Sequence, residues 1–217
     1  MAQDLLKDVV YKRIREMIIN GTLPMGSKLS ETVLAKRLEA TKAPIRDAVK
    51  RLQSEGLVQI KPQSGTFVFS LSQTEFNELL EFRYYIESQA MQLSFEKNCK
   101  ALCQSIRYIL DKMSVCMERN GTLEYLGLDN EFHQVLIDFC DNAYFVEAYA
   151  LISTRMATAR NYLGSNEQHM LRSYEQHVSI LQALQSNNIQ EAKNLLRSHI
   201  LPEKGAYWGD ILLRFKN

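Results

Sequence analysis

The chain has 217 residues, of which 46% are hydrophobic and 24% charged, with a formal net charge of +1. That is ordinary globular composition, enough for one large domain or two modest ones. With only 9 Gly and 4 Pro it excludes collagen-like and low-complexity chains, and the balanced charge argues against a wholly basic coat protein or an acidic tail protein.

The start, Met1-Ala2-Gln3-Asp4-Leu5-Leu6-Lys7-Asp8, is too charged for the apolar core of a signal peptide. No apolar run approaches the ~20 residues that span a bilayer. A cytoplasmic protein without a membrane partner is therefore expected. Cys99, Cys103, Cys116 and Cys140 lack zinc-knuckle spacing and fall on apolar faces, so they read as buried thiols in a reducing compartment.

The small net charge is a cancellation. Residues 1–70 hold 12 Lys/Arg against 7 Asp/Glu, and residues 71–217 hold 14 against 18, giving +5 and −4. A basic head on an acidic body predicts two domains with different partners, 1–70 and 71–217. Ser70-Leu71-Ser72 marks the joint, with Ser72 and Glu75 spaced as a helix capping box.

In the head, Leu6, Val9, Val10, Ile14, Met17 and Ile18 recur at helical spacing, and Asn20-Gly21 stops that helix. Ser30 caps a short helix carrying Val33, Leu34 and Leu38. A third helix begins near Pro44, a favoured first-turn residue. Ile45, Ala48, Val49 and Leu52 form its apolar face, and Lys42, Arg46 and Lys50 line the other at i, i+4, i+8. Such cations suit phosphates, and Arg also forks onto guanine edges. Gly56 ends this helix. Two strands, 57–60 and 66–69, joined by Pro62-Gln63-Ser64-Gly65, then form a wing. A charged stripe alone is often just a solvated face. The ordered set of helix, short helix, basic helix and wing is far more specific for nucleic acid.

The head resembles the winged helix-turn-helix of the GntR superfamily of bacterial transcription regulators. The resemblance is carried by Leu29-Ser30-Glu31, Leu34-Ala35, Ala43 to Leu52, Glu55-Gly56-Leu57-Val58 and Gly65-Thr66-Phe67-Val68. It implies that Thr41, Lys42 and Arg46 approach the groove and that Gly65 lets the wing backbone close on DNA. Thr41-Lys42-Ala43 replaces the family's usual Ser-Arg-Thr. Lys42 keeps the charge without the fork, and Ala43 lacks the hydroxyl. These changes bear on operator sequence, not on binding mode.

The body reads as an all-α bundle with helices near 72–97, 99–119, 123–140, 143–163, 167–186 and 189–201. A short C-terminal helix is expected from about 203, packed by Tyr207, Trp208, Ile211, Leu212 and Phe215. Polar residues interrupt its inner stripes. Asp129 and His133 share a face with Leu126, Leu136 and Cys140. His177 lies with Tyr174, Val178, Leu181 and Leu184, and His199 with Ala192, Leu195, Leu196 and Ile200. His177 and His199 lie about eleven residues either side of a turn at Asn187-Asn188, which puts both rings ~16 Å from it in an antiparallel pair. They can converge, and Asp129 and His133 can meet them from a third helix. One carboxylate and three imidazoles suit Zn²⁺, Ni²⁺ or Mn²⁺ with positions left for a ligand. A lone helical His is more often a packed core residue, and Asp-x-x-x-His can be a simple ion pair. Three of the chain's four histidines on inward stripes weigh the other way.

Arg83 interrupts a further stripe of Phe76, Leu79, Leu80, Ile86 and Ala90. The plainer reading is an internal ion pair with Glu87, one turn on. The functional reading is that Arg83 holds an effector carboxylate. The two are compatible.

Residues 72–217 resemble the FCD-type effector domain of the FadR subfamily, at a length that suits its shorter, VanR-like branch. The matching residues are Leu80-Glu81-Phe82-Arg83, Glu87, Asp129, Phe132-His133, His177, Ile180, Ala183-Leu184, Ala192 and His199. The resemblance implies that Asp129, His133, His177 and His199 hold a metal ion. The expected protein is a mainly α, homodimeric, ligand-responsive regulator that binds a palindromic operator and senses a small organic acid. The alternatives are a metal-dependent enzyme on a helical bundle and a regulator whose metal is purely structural. No general base at motif spacing supports the enzyme.

Overall fold

The computed structural model describes residues 2–163 and 167–202, apart from the side chains of 2–5 and 163. The expected C-terminal helix from about 203 lies outside the described residues. The chain divides into two compact units, one of residues up to Ser70 with Ala157–Tyr162, the other of Leu71–Met156 with the chain from Leu163 onward.

The first unit holds α1 (Ala2–Ile19), β1 (Lys28–Leu29), α2 (Glu31–Arg37), α3 (Lys42–Ser54), β2 (Val58–Lys61) and β3 (Gly65–Val68). Ser30 starts α2 by accepting the Val33 N–H, which satisfies one of the amides left open at a helix start. Gly56 takes a left-handed backbone (φ 70°) that most residues avoid, and so turns the chain from α3 into β2. Val10, Ile14 and Ile18 of α1 pack in one core with Leu34, Ile45, Val49, Leu52, Leu57 and Val68. Leu6 and Val9, read from spacing as core, are exposed, and Tyr11 is buried. Tyr11 donates its hydroxyl to Glu55 at 2.8 Å, and the Arg51 guanidinium lies 3.7 Å from its ring centre, so an amphipathic ring fills a place that spacing alone assigned to aliphatics.

The wing strands run one residue off the expected spans, at 58–61 and 65–68, and β1 joins them as a third. The sheet order is β1–β3–β2, antiparallel throughout, with Lys28 opposite Phe67 and Lys61 opposite Gly65. A two-residue strand carries too little alternation to be seen in sequence.

The second unit is built of α4 (Gln73–Glu118), α5 (Thr122–Asp138), α6 (Ala143–Leu163) up to Met156, α7 (Glu167–Gln185) and α8 (Ile189–Ile200), while Ala157–Tyr162 of α6 count with the first unit. Ser72 and Glu75 form the capping box that opens α4. The two helices expected at 72–97 and 99–119 run as one kinked element, broken only at Asn98 (φ −140°, ψ 35°). The kink has identifiable partners. Asn98 Nδ2 donates to the Phe139 carbonyl at 3.0 Å, and Lys97 Nζ donates to the Cys140 and Asp141 carbonyls, each at 3.0 Å. These carbonyls belong to the C-cap residue of α5 and the two residues that follow it. Asn187 turns the chain between α7 and α8 in a left-handed conformation (φ 56°), and Asn188 caps α8 through the Glu191 N–H. α4 packs chiefly on α5 and also meets α7 and α8, while α7 and α8 pack on each other. All four cysteines are free thiols, three of them buried. Burial and the neighbouring Cys99 push the Cys103 thiol up to about 11. No helix among the described residues is long and apolar enough to cross a membrane.

Candidate functional site

Two groups of polar residues stand out, one in each unit. On α3, Pro44, Ile45, Ala48, Val49 and Leu52 are buried, and Lys42, Arg46 and Lys50 are all exposed. Thr41 has the extended backbone of an N-cap (φ −73°, ψ 165°), yet its side chain makes no capping bond, so the exposed hydroxyl is available to an outside partner. Arg46 Nε donates to Glu31 Oε2 of α2 at 2.9 Å across an exposed pair. Such a pair is weak in water and is readily exchanged for phosphate or base contacts.

Gly65, at the wing's turn, has φ +114°, a backbone that favours glycine. A Cβ there would lie 3.0 Å from Lys28 Cε, so any side chain would push that lysine aside. Lys28 and Lys61 place their ammonium groups 5.9 and 5.2 Å from the centre of the Phe67 ring. Sequence reading missed this pair of wing cations, because only the cross-strand register brings residues 28 and 61 to one ring.

In the second unit, α5 contributes Asp129 and His133, α7 contributes His177 and α8 contributes His199. One ligand-type atom from each lies within 4.8 Å of all the others, and such a group could hold a metal ion. His177 Nε2 and His199 Nε2 are 3.2 Å apart, as are His199 Nε2 and His133 Nε2. Asp129 Oδ1 lies 3.7 Å from His177 Nε2, and Oδ2 lies 4.0 Å from His133 Nε2. Metal–nitrogen bonds of about 2.0–2.1 Å put adjacent ligand nitrogens roughly 3.0–3.4 Å apart, so the observed spacing suits a first-row divalent ion. Burial, with the adjacent His177 ring next in weight, holds His199 well below the usual histidine range. A neutral imidazole is the form that ligates.

Around the four stands a shell that the sequence did not reveal. Phe132 stacks on the His177 ring, with centroids 3.7 Å apart. Ser173 donates to Asp129 Oδ1 at 3.0 Å, and Gln176 Oε1 lies 2.8 Å from His199 Nδ1. Both lie within one turn of His177 on α7, so this helix supplies one ligand-type group and orients two more. The inner face of α7 runs through Ser173, His177, Ile180, Leu181 and Leu184. Tyr174 and Val178, expected on that face, are partly exposed. Ser173 and Gln176 carry no apolar signal, and their i−4 and i−1 spacing from His177 is the one trace a reader could have used.

Arg83 and Glu87 are fully buried on α4. Ile86, expected inside, is partly exposed, and the buried stripe turns through Glu87 instead. Arg83 Nε donates to Glu87 Oε1 at 2.7 Å, and the Tyr149 hydroxyl of α6 donates to the same oxygen at 3.2 Å. Glu87 Oε2 lies 2.7 Å from His133 Nδ1. Burial opposes the charged guanidinium, but Glu87, Tyr149 and Asp129 more than offset it and hold Arg83 above its ordinary range. Arg83 Nη1 and Nη2 are buried with no hydrogen-bond partner among the described residues. Such orphaned donors are costly and call for an acceptor.

The comparisons agree with this architecture. The sequence model of the FCD domain matches residues 78–201, and that of bacterial regulatory proteins of the gntR family matches residues 6–68. The HTH-type regulator YdhC of Bacillus subtilis is 25% identical over 87% of this chain and 85% of its own length. The HTH-type transcriptional repressor RspR of Escherichia coli is 24% identical over 88% and 84%. Among solved structures, E. coli McbR/YncC superposes with a TM-score of 0.79 at 21% identity, covering 98% of this chain and 99% of that one. The matched families and these relatives are transcription regulators, not enzymes, so the enzyme alternative falls away. With an exposed basic helix and wing in one unit and a polar cluster inside an all-helical second, the chain belongs to the GntR family as a ligand-responsive transcription regulator carrying an FCD domain.

Proposed function

We propose that this regulator is a cytoplasmic homodimer whose two heads bind a palindromic operator, one half-site each, and whose helical domain senses a small organic acid at a metal-containing site. The proposed domains are residues 1–70 for DNA and 71–217 for effector binding and dimerisation. Thr41, Lys42, Arg46 and Lys50 meet the groove and its phosphates, and Gly65 lets the wing approach the backbone. Some relatives, including RspR, are named repressors, and repression is the sense proposed for this chain.

Asp129, His133, His177 and His199 would hold Zn²⁺, Ni²⁺ or Mn²⁺, and the ion would supply a Lewis-acidic centre for a carboxylate. Arg83, with Nη1 and Nη2 unmatched, would take the same anion by a charge-assisted fork. The observation that carries this reading is that pairing: a buried guanidinium with two open donors, joined through Glu87 to a buried cluster of ligand-type atoms. The acid shifts operator binding by no more than its differential affinity for the binding and non-binding forms.

The test is elemental analysis of the purified protein, followed by titration with Zn²⁺ and acetate. His177→Ala is expected to weaken metal binding by about a hundredfold or more, because one of four donors is lost, and to abolish acetate binding. If His177→Ala leaves acetate affinity intact while lowering stability, the sensory role fails and a purely structural metal stands.

A further inference from the structure

We infer that Glu87 is a positioning residue of the sensor site, a group that sets both its cation-binding half and its anion-binding half. The inference rests on the metal-and-acid reading above and adds to it the control of that site by a residue outside the ligand set.

The geometry begins with what a carboxylate can do. It accepts hydrogen bonds and donates none. Glu87 Oε2 at 2.7 Å from His133 Nδ1 therefore places the ring proton on Nδ1. His133 Nε2 is then left with its lone pair, and this is the atom that lies 3.2 Å from His199 Nε2 and 4.0 Å from Asp129 Oδ2. A lone pair aimed into the cluster is what a metal ligand requires, and a carboxylate behind the ring also raises its basicity.

The other oxygen works on Arg83. Oε1 takes Nε, at 2.7 Å, and leaves Nη1 and Nη2 unmatched among the described residues. The guanidinium is thus held by one edge and open at the fork that suits a carboxylate. Tyr149 donates to Oε1 at 3.2 Å, a third hydrogen bond that fixes the carboxylate from α6. All three side chains are essentially inaccessible to water, so no solvent can substitute for a lost partner.

Glutamine, nearly the same shape, cannot do both jobs. If its oxygen faces Arg83 and Tyr149, its NH₂ faces His133 Nδ1, which must then accept, and the proton moves to Nε2, the ligating atom. If the amide flips, its NH₂ meets the Arg83 Nε–H donor to donor. A group that only neutralised Arg83 would place no such demand on the histidine.

The experiment is long-range ¹H–¹⁵N NMR of the metal-free, full-length chain with labelled histidine, together with Zn²⁺ titration. His133 in the unaltered protein is expected to be protonated at Nδ1. Glu87→Gln is expected to move that proton to Nε2 and to weaken Zn²⁺ binding by about 10–100-fold, the range seen when an outer partner of a ligating histidine is removed. Tyr149→Phe keeps the carboxylate and is expected to preserve the Nδ1 proton, with a change in affinity of less than about tenfold. Protonation of His133 at Nε2 in the unaltered protein would overturn the inference, as would Glu87→Gln binding Zn²⁺ within about twofold of the parent. If Glu87→Gln does not fold, the proton position in the unaltered protein decides. If the unaltered protein binds no Zn²⁺, the metal reading fails on its own, and the same proton position still decides the role of Glu87.

Discussion

Helix α3 and the helices of the second unit each carry a set of polar side chains beside an apolar face, and the two sets meet opposite fates. On α3 the set faces out. Lys42, Arg46 and Lys50 are exposed, and the ion pair of Arg46 with Glu31 is itself at the surface. In the helical domain the set faces in, and each polar group is tied to another: His199 to Gln176, Asp129 to Ser173, His133 to Glu87 and Glu87 to Arg83. An exposed charge keeps its water until a ligand replaces it, and changing it alters binding with little change in folding. A buried charge has already given up its water, so changing one member strands the next.

The most severe test of this contrast is Arg83→Ala. It leaves Glu87 buried without its guanidinium, and the expected loss of stability is about 3–5 kcal/mol, read from chemical unfolding at fixed protein concentration. A loss near zero would mean that the inner set is as replaceable as the outer one. Next in size is Arg46→Ala. Operator affinity is expected to fall by about 1–3 kcal/mol while the melting temperature hardly moves, measured by fluorescence anisotropy and calorimetry on one preparation. Unchanged operator affinity would remove α3 as the reading helix. The smallest effect is that of Lys50→Ala. It should weaken binding to specific and non-specific DNA alike and reduce the slope of log affinity against log salt by about one, the signature of a single phosphate contact. A slope equal to the parent's would show that Lys50 touches no phosphate.

The sequence made some of this legible and hid the rest for physical reasons. Strong periodicity with chemical punctuation was readable: Ser30, Gly56, Ser72 and Asn187-Asn188 all stand at ends of elements in the structure. The exposed row of α3 was readable because its buried face is purely aliphatic. The inner faces of α4 and α7 were harder. At residues 86 and 87 the apolar Ile86 drew the expected stripe, while the buried position belongs to Glu87. At 173 and 174, Tyr174 outweighed Ser173 in the same way. A buried polar side chain is stabilised by partners far along the chain, and no local pattern contains them. Tyr149, 62 residues from Glu87, is the clearest case. The kink at Asn98 was half legible. The helical pattern faltered there, but the chain does not stop, because the carbonyls that receive Lys97 and Asn98 come from the end of α5.

That kink also acts as a ruler. Lys97 and Asn98 pin α4 to the end of α5, and Ser94 adds a bond to the Leu136 carbonyl at 2.9 Å. From Lys97 back to Glu87 is ten residues of helix, about 15 Å. From Phe139 back to His133 is six residues of α5, about 9 Å. With one end clamped, the facing of Glu87 toward His133 depends on the number of residues between. Adding or deleting one would turn Glu87 by about 100° and carry it off the ring, with every side chain of the site still present. Tolerance to length change should therefore be lost between 87 and 97, a stretch that contains no ligand-type residue of the cluster.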